Sequence, residues 1–221
     1  MKKKENIEIK EEKHIEKKKN NMTLFIIFGI LFVILSVLTF TGVMRPIDDA
    51  ITSYIIGIRN TKLTNKMINI TNIGGAYSLI VISLLLLVFI KKKKIPLIII
   101  INLVLVFVTN RIFKFIFRRP RPDGLFLIYE NGYSYPSGHA MVSFGYILFI
   151  VYILCKCIKN KAVKCILSIV LIGLGLLIGF SRVYLGVHYF TDILSGQILA
   201  TCYISLFINY LNSKGYLKWG L

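Results

Sequence analysis

The chain has 221 residues, 56% of them hydrophobic, with 28 Lys and Arg against 10 Asp and Glu and a formal net charge of +18. The length fits one domain, and the apolar content is too high for an ordinary soluble one. The basic charge does not indicate nucleic acid, because the lysines border apolar runs instead of lining one face.

Residues 1–21 form a Lys-rich tail in which Glu5, Glu8, Glu11, Glu12 and Glu16 alternate with lysines. A solvated tail or frayed helix near anionic lipid heads is expected there. The first apolar run is longer than a signal-peptide core and no A-x-A site follows it, so an uncleaved first span is predicted. A span needs roughly 20 mostly apolar residues. Six segments meet or approach this, at 23–44, 76–90, 95–117, 138–158, 165–184 and 190–212; the second is the shortest and is expected to start near Ile73. The fold predicted is an all-α, polytopic membrane protein with six transmembrane helices in a domain over 22–213, followed by a short tail at 214–221.

Between Arg45 and Gly75 the apolar spacing is roughly helical, which predicts a helix lying at the outer membrane surface before Gly74-Gly75 turns the chain. Asp48 and Asp49 read there as charges at a helix N-terminus in preference to catalytic groups. The loop 120–136 carries Leu125, Phe126, Leu127, Ile128, Tyr129, Tyr133 and Tyr135, as an interfacial cap or a lipid contact would. Cys155, Cys157, Cys165 and Cys202 fall in spans or at their inner ends and are read as reduced, packed thiols; their spacing predicts no metal site.

Lysines crowd the tail, the run at 91–94, the stretch 156–164 and the C-terminal end, whereas every arginine falls in the remaining connections or beside them. The positive-inside rule then places both termini in the cytoplasm of a plasma-membrane protein. Three polar blocks share the opposite, outer side: 114–122, 136–139, and Ser181-Arg182 followed by His188 and Asp192. Ionisable residues at such positions are functional candidates by default.

Each block has a chemical reading and a plain one. His188 and Asp192 are four residues apart, so a carboxylate can fix one imidazole nitrogen and leave the other to attack, or the two simply satisfy each other. Ser137 is predicted to N-cap the fourth span, offering the free amide of Gly138 to an anion and placing His139 as a proton donor; an interfacial histidine is the alternative. Lys114, Arg118 and Arg121 could clamp a phosphate, or flank the membrane. Pro120 is expected to break the preceding helix.

Lys114-x6-Arg121-Pro122, Pro136-Ser137-Gly138-His139 and Ser181-Arg182-x5-His188-x3-Asp192 resemble the three-part signature of the type 2 phosphatidic acid phosphatase (PAP2) superfamily. The resemblance implies that His188 is the nucleophile that forms a phosphohistidine, that Asp192 orients it, and that His139 protonates the leaving oxygen. It implies that Lys114, Arg121, Arg182, Ser137 and the Gly138 amide hold the phosphate, with neither metal nor other cofactor. Arg118 and Arg119 are not signature positions. Membrane members of the family act on lipid phosphates such as phosphatidate, phosphatidylglycerophosphate and undecaprenyl diphosphate; the apolar spans argue against its soluble branches. The alternative is a non-catalytic transporter or binder of anionic head groups, which would place its polar groups nearer the bilayer midplane. The expected partners are a lipid phosphate substrate and membrane lipids.

Overall fold

A computed structural model of the chain describes residues 2–124 and 126–216, with side chains from Asn20 onward. The expected lipid contacts of the Lys-rich tail, Leu125 and the last five residues lie outside the described residues. The described residues form eight helices: α1 (Lys2–Phe40), α2 (Arg45–Gly57), α3 (Thr61–Ile73), α4 (Ala76–Phe89), α5 (Lys94–Phe117), α6 (Gly138–Cys157), α7 (Lys161–Tyr184) and α8 (Phe190–Ser213).

Among the described residues, five helices are long and apolar enough to cross a membrane: α1 from Asn20 onward, α5, α6, α7 and α8. The sixth span differs from the expected simple helix. At about 1.5 Å per residue, α4 with its 14 residues is short of the roughly 30 Å hydrocarbon core. It meets the length criterion only together with α3, across a 48° bend. The bend lies at Gly74-Gly75, where Gly74 caps α3 and Gly75 precedes α4. A Cβ on Gly74 would run into Ile178 of α7, so this close approach requires glycine.

The segment expected to form one surface helix is therefore two. Asn60 starts α3 by accepting a hydrogen bond from the Leu63 amide, and its neighbour Arg59 donates from Nε to the Tyr184 carbonyl at 3.0 Å. That break leaves α2 as the additional, non-spanning helix. It packs on α7 and α8 and buries Ile55.

The core sits around α6, which packs against α5, α7 and α8, while α1 lies along α8. Val106, Met141, Phe149 and Ala200 are fully enclosed. Small residues allow the close contacts, as bilayer helices without a hydrophobic driving force between them require. A Cβ on Gly196 would stand 2.9 Å from the Ser137 carbonyl oxygen, so α8 lies directly on the start of α6. Outward-facing residues such as Ile30, Val33, Leu84, Val88, Ile116 and Val170 are exposed and apolar, as a lipid-facing surface must be.

Because consecutive spans alternate in direction, the C-terminal ends of α5 and α7 meet the N-terminal ends of α6 and α8. The three polar blocks occupy these ends. The lysines at 91–94, 156–164 and 214 occupy the opposite ends.

Candidate active site

The last turn of α5 contributes Lys114, which is buried and donates from Nζ to the carbonyls of Tyr133 and Ser134. The helix stops before Pro120. Arg118 takes a left-handed conformation with φ 48° as its C-cap, and its exposed guanidinium lies over the Phe115 ring at 4.3 Å. A residue preceding proline is steered out of the helical region, so Arg119 leaves the helix and turns inward. Arg118 and Arg119, equal candidates in sequence, thus part company.

Arg121 follows Pro120 and is held by four protein acceptors. Nε donates to the Gly132 carbonyl and Nη2 to that of Asn131, both at 2.9 Å. Nη1 donates to the Val187 carbonyl at 2.8 Å and to His188 Nε2 at 3.2 Å. The loop carrying the Asn131 and Gly132 carbonyls is anchored by Tyr135, which is fully buried against Phe32, Phe40 and Phe117. Its hydroxyl is 2.7 Å from Ser36 Oγ on α1. Tyr135 is therefore structural, while Phe126, Leu127 and Tyr129 remain exposed.

Ser137 caps α6 as expected, its hydroxyl accepting from the Ala140 amide at 3.5 Å and its own amide donating to the Asp192 carbonyl at 3.0 Å. Gly138 and His139 then open the helix, where backbone amides have no intrahelical acceptor. His188 lies two residues before α8, not within it. Asp192 sits in the first turn, accepts from the Tyr189 amide at 2.9 Å, and brings Oδ2 to 3.3 Å from His188 Nδ1. With Nδ1 facing a carboxylate and Nε2 facing a guanidinium that can only donate, the consistent tautomer is Nδ1–H with a free lone pair on Nε2.

A cavity of about 180 Å³ joins these groups, and Lys114, Arg121, Gly138, His139 and His188 line it, with Glu130, Asn110 and Arg111 beside them. Three expected site residues stand behind its wall: Ser137, Asp192 and Arg182 are buried and do not line it. Arg182 donates from Nη1 to Thr71 Oγ1 at 2.9 Å and from Nη2 to Glu130.

Burial, more than any other cause, pushes His188 well below the ordinary imidazole range, and the positive charges of Lys114, Arg121 and Arg182 push it the same way. The ring is neutral at neutral pH. Burial alone would raise the Glu130 carboxyl, but Arg182, with smaller contributions from His139 and Arg121, holds it below the ordinary range, so it is ionised.

Sequence reasoning missed Glu130, read Asp48 only as a helix N-terminal charge, and left Arg119 level with Arg118 outside the signature. Glu130 carries no signature spacing; its only signal was its place between Arg121 and His139. Asp48 does lie in the first turn of α2, but it is buried and accepts from Arg119 and Thr191. Asp49 beside it is exposed and pairs only with Arg45, at 3.8 Å.

The model of the PAP2 superfamily matches residues 93–216. The chain is 32% identical over 178 residues to phosphatidylglycerophosphatase B of Bacillus subtilis strain 168, covering 76% of this chain and 84% of that one. It is 29% identical over 163 residues to undecaprenyl-diphosphatase of Sulfolobus acidocaldarius, covering 71% and 74%. Among solved structures, a transmembrane PAP2-type phosphatidylglycerolphosphate phosphatase from Bacillus subtilis superposes with a TM-score of 0.77 at 27% identity, over 86% of this chain and 96% of that one.

Proposed function

Since this chain belongs to the PAP2 superfamily, we propose that it hydrolyses a lipid phosphate ester at the outer face of the plasma membrane through a phosphohistidine on His188. The observation that carries this is the orientation of one imidazole: Nδ1 on Asp192 at 3.3 Å and Nε2 beside Arg121 at 3.2 Å, at a cavity that His139 also lines. The positive-inside rule supports the outer side, since the lysines crowd the opposite helix ends.

In the mechanism we infer, Nε2 attacks phosphorus and forms an N–P bond as the bond from phosphorus to the leaving oxygen breaks. His139 gives that oxygen its proton. Nδ1–H donates to Asp192, which stabilises the positive charge the ring acquires. Water then attacks the phosphohistidine, passes a proton to His139, and breaks the N–P bond to release inorganic phosphate. Lys114, Arg121 and the Gly138 amide face the cavity and hold phosphate oxygens. Ser137 and Arg182 complete the cradle from behind, Ser137 by fixing the start of α6 and Arg182 once Glu130 yields it. The scheme assigns no step to a metal.

The named relatives put phosphatidylglycerophosphate and undecaprenyl diphosphate first among substrates to compare, with phosphatidate as the single-phosphate reference. Purified protein should release phosphate from at least one of the three in EDTA, and acid-labile phosphate should appear on the protein. His188→Ala should show neither. No release from any of the three, or unaltered turnover in His188→Ala, would sink the reading.

A further inference from the structure

Behind His188 and Asp192 lies a second carboxylate that the scheme above does not use. Arg119 brings Nη1 to 2.6 Å from Asp192 Oδ1 and Nη2 to 2.9 Å from Asp48 Oδ2. Asp48 also accepts from the Thr191 amide at 2.9 Å and from the Thr191 hydroxyl at 2.7 Å, and that hydroxyl in turn accepts from Arg119 at 2.8 Å. The Arg119 guanidinium is steadied over the Tyr189 ring at 4.1 Å. Asp48 and Asp192 are both buried. The arrangement runs from α2, a helix outside the signature blocks, to the residue that orients the nucleophile.

Charge decides what this arrangement does. Arg119 alone, bonded this closely, would neutralise the carboxylate that must support a positive ring on His188. With Asp48 on its other arm, the trio carries two negative charges and one positive, so one net negative charge remains. His188 needs it, because Lys114, Arg121, His139 and Arg182 all oppose a positive ring from α5, the 118–137 loop, α6 and α7, and the one carboxylate among them, Glu130, is engaged by Arg182 and Arg121. Fold stability gives a weaker account. Buried ion pairs return little net stability after desolvation, and α2 already docks through Ile55.

We propose that Asp48 is a positioning residue for the phosphoryl-transfer step, acting through Arg119 to aim the Asp192 carboxylate at His188 and keep it negative. This rests on the reading of His188 as nucleophile. Outer partners of metal-ligating histidines typically contribute about 10- to 100-fold to affinity or activity, the same order is expected for a partner that orients a histidine nucleophile, and an interaction specific to the transition state lowers kcat without raising KM.

The test uses the full-length protein in detergent with dioctanoyl phosphatidylglycerophosphate. Asp48→Asn should lower kcat about 10- to 100-fold with KM within about twofold. Asp48→Glu should recover most of the loss. In an Asp192→Asn background, Asp48→Asn should cost little more, because residues acting as a unit are not additive. Should Asp48→Asn fail to fold, Arg119→Lys gives the same reading, since a single ammonium keeps the charge but cannot span both carboxylates. Additive losses in the double variant, a raised KM at unchanged kcat, or wild-type kcat in Arg119→Lys would overturn the proposal. His188→Ala run alongside separates the two failures: turnover surviving there overturns the nucleophile itself, whereas a dead His188→Ala with additive losses overturns only the role of Asp48.

Discussion

Glu130 sets one carboxylate oxygen on the buried guanidinium of Arg182, and its other oxygen lies 3.8 Å from Nη2 of Arg121. One acid thus bridges two of the cations assigned to the phosphate, from a loop that lines the cavity. On the proposed function, an incoming phosphate must displace it or tolerate its charge. Glu130→Gln should therefore tighten inhibition by vanadate by about 10-fold, the effect of about 1.4 kcal/mol of relieved repulsion at intermediate effective dielectric. Inhibition constants for wild type and variant check this; equal values would mean that Glu130 leaves the cradle at no cost.

The depressed His188 sets the pH response. In the proposed scheme the neutral ring is the nucleophile, and burial together with Lys114, Arg121 and Arg182 keeps it neutral below the ordinary imidazole range. Protonation, and with it the loss of attack, is thus displaced to lower pH. The acid limb of kcat/KM, which reports the free enzyme, should lie clearly below about pH 6.5. Arg121→Gln removes one of the charges responsible and should move that limb toward higher pH. A limb at 6.5 or above in wild type would contradict the buried geometry.

In the proposed scheme His139 gives a proton to the leaving oxygen and later takes one from the attacking water. His139→Ala should slow hydrolysis of a lipid alkoxide ester by about 10²- to 10⁴-fold, the usual range for general acid catalysis. In the phosphorylation step the loss should be much smaller with p-nitrophenyl phosphate, whose leaving group departs without help. Single-turnover rates of leaving-group release from the two substrates check this, and equal losses on both would contradict proton donation to the leaving oxygen.

Two glycines separate close packing from open space. A Cβ on Gly196 would press on the Ser137 carbonyl oxygen and on the Met141 amide, 3.2 Å away. Gly196→Ala should destabilise the protein by about 1–3 kcal/mol, as overpacking does, and should lower activity by shifting Gly138 and His139. Gly173, in α7, has nothing within 4 Å of a built Cβ. Gly173→Ala should leave activity unchanged and the thermal midpoint equal or higher. Thermal unfolding in detergent measures both.

Orientation is testable in intact cells. Asp123, on the loop beside the site, and Lys159, at the opposite end, are both exposed. In a background with the four native cysteines replaced by serine, a membrane-impermeant maleimide should label Asp123→Cys without lysis, and Lys159→Cys only after it. The reverse pattern would place the site on the cytoplasmic side.

Much of this protein is local in sequence. Apolar runs of bilayer length name the spans, Ser137 names the start of α6 because capping needs only neighbouring atoms, and the three blocks share one side because span direction alternates. The four-residue spacing of His188 and Asp192 announced their contact, although a helix cap holds it and not a shared helix face. What sequence did not contain is which side chains meet across long separations. Arg118 and Arg119 are adjacent and identical in type, yet a left-handed cap turns one to the surface and the other onto Asp48 and Asp192. Asp48 and Asp49 part in the same way. Asp48 lies 143 residues from Thr191 and Glu130 lies 52 from Arg182, and no periodicity encodes such pairs. Residue types and the ends of the spans were thus readable from the chain itself, because they depend on hydrophobicity and neighbouring backbone. The charge balance around His188 was decided only by tertiary packing, because it depends on which buried ions the fold sets within hydrogen-bonding reach.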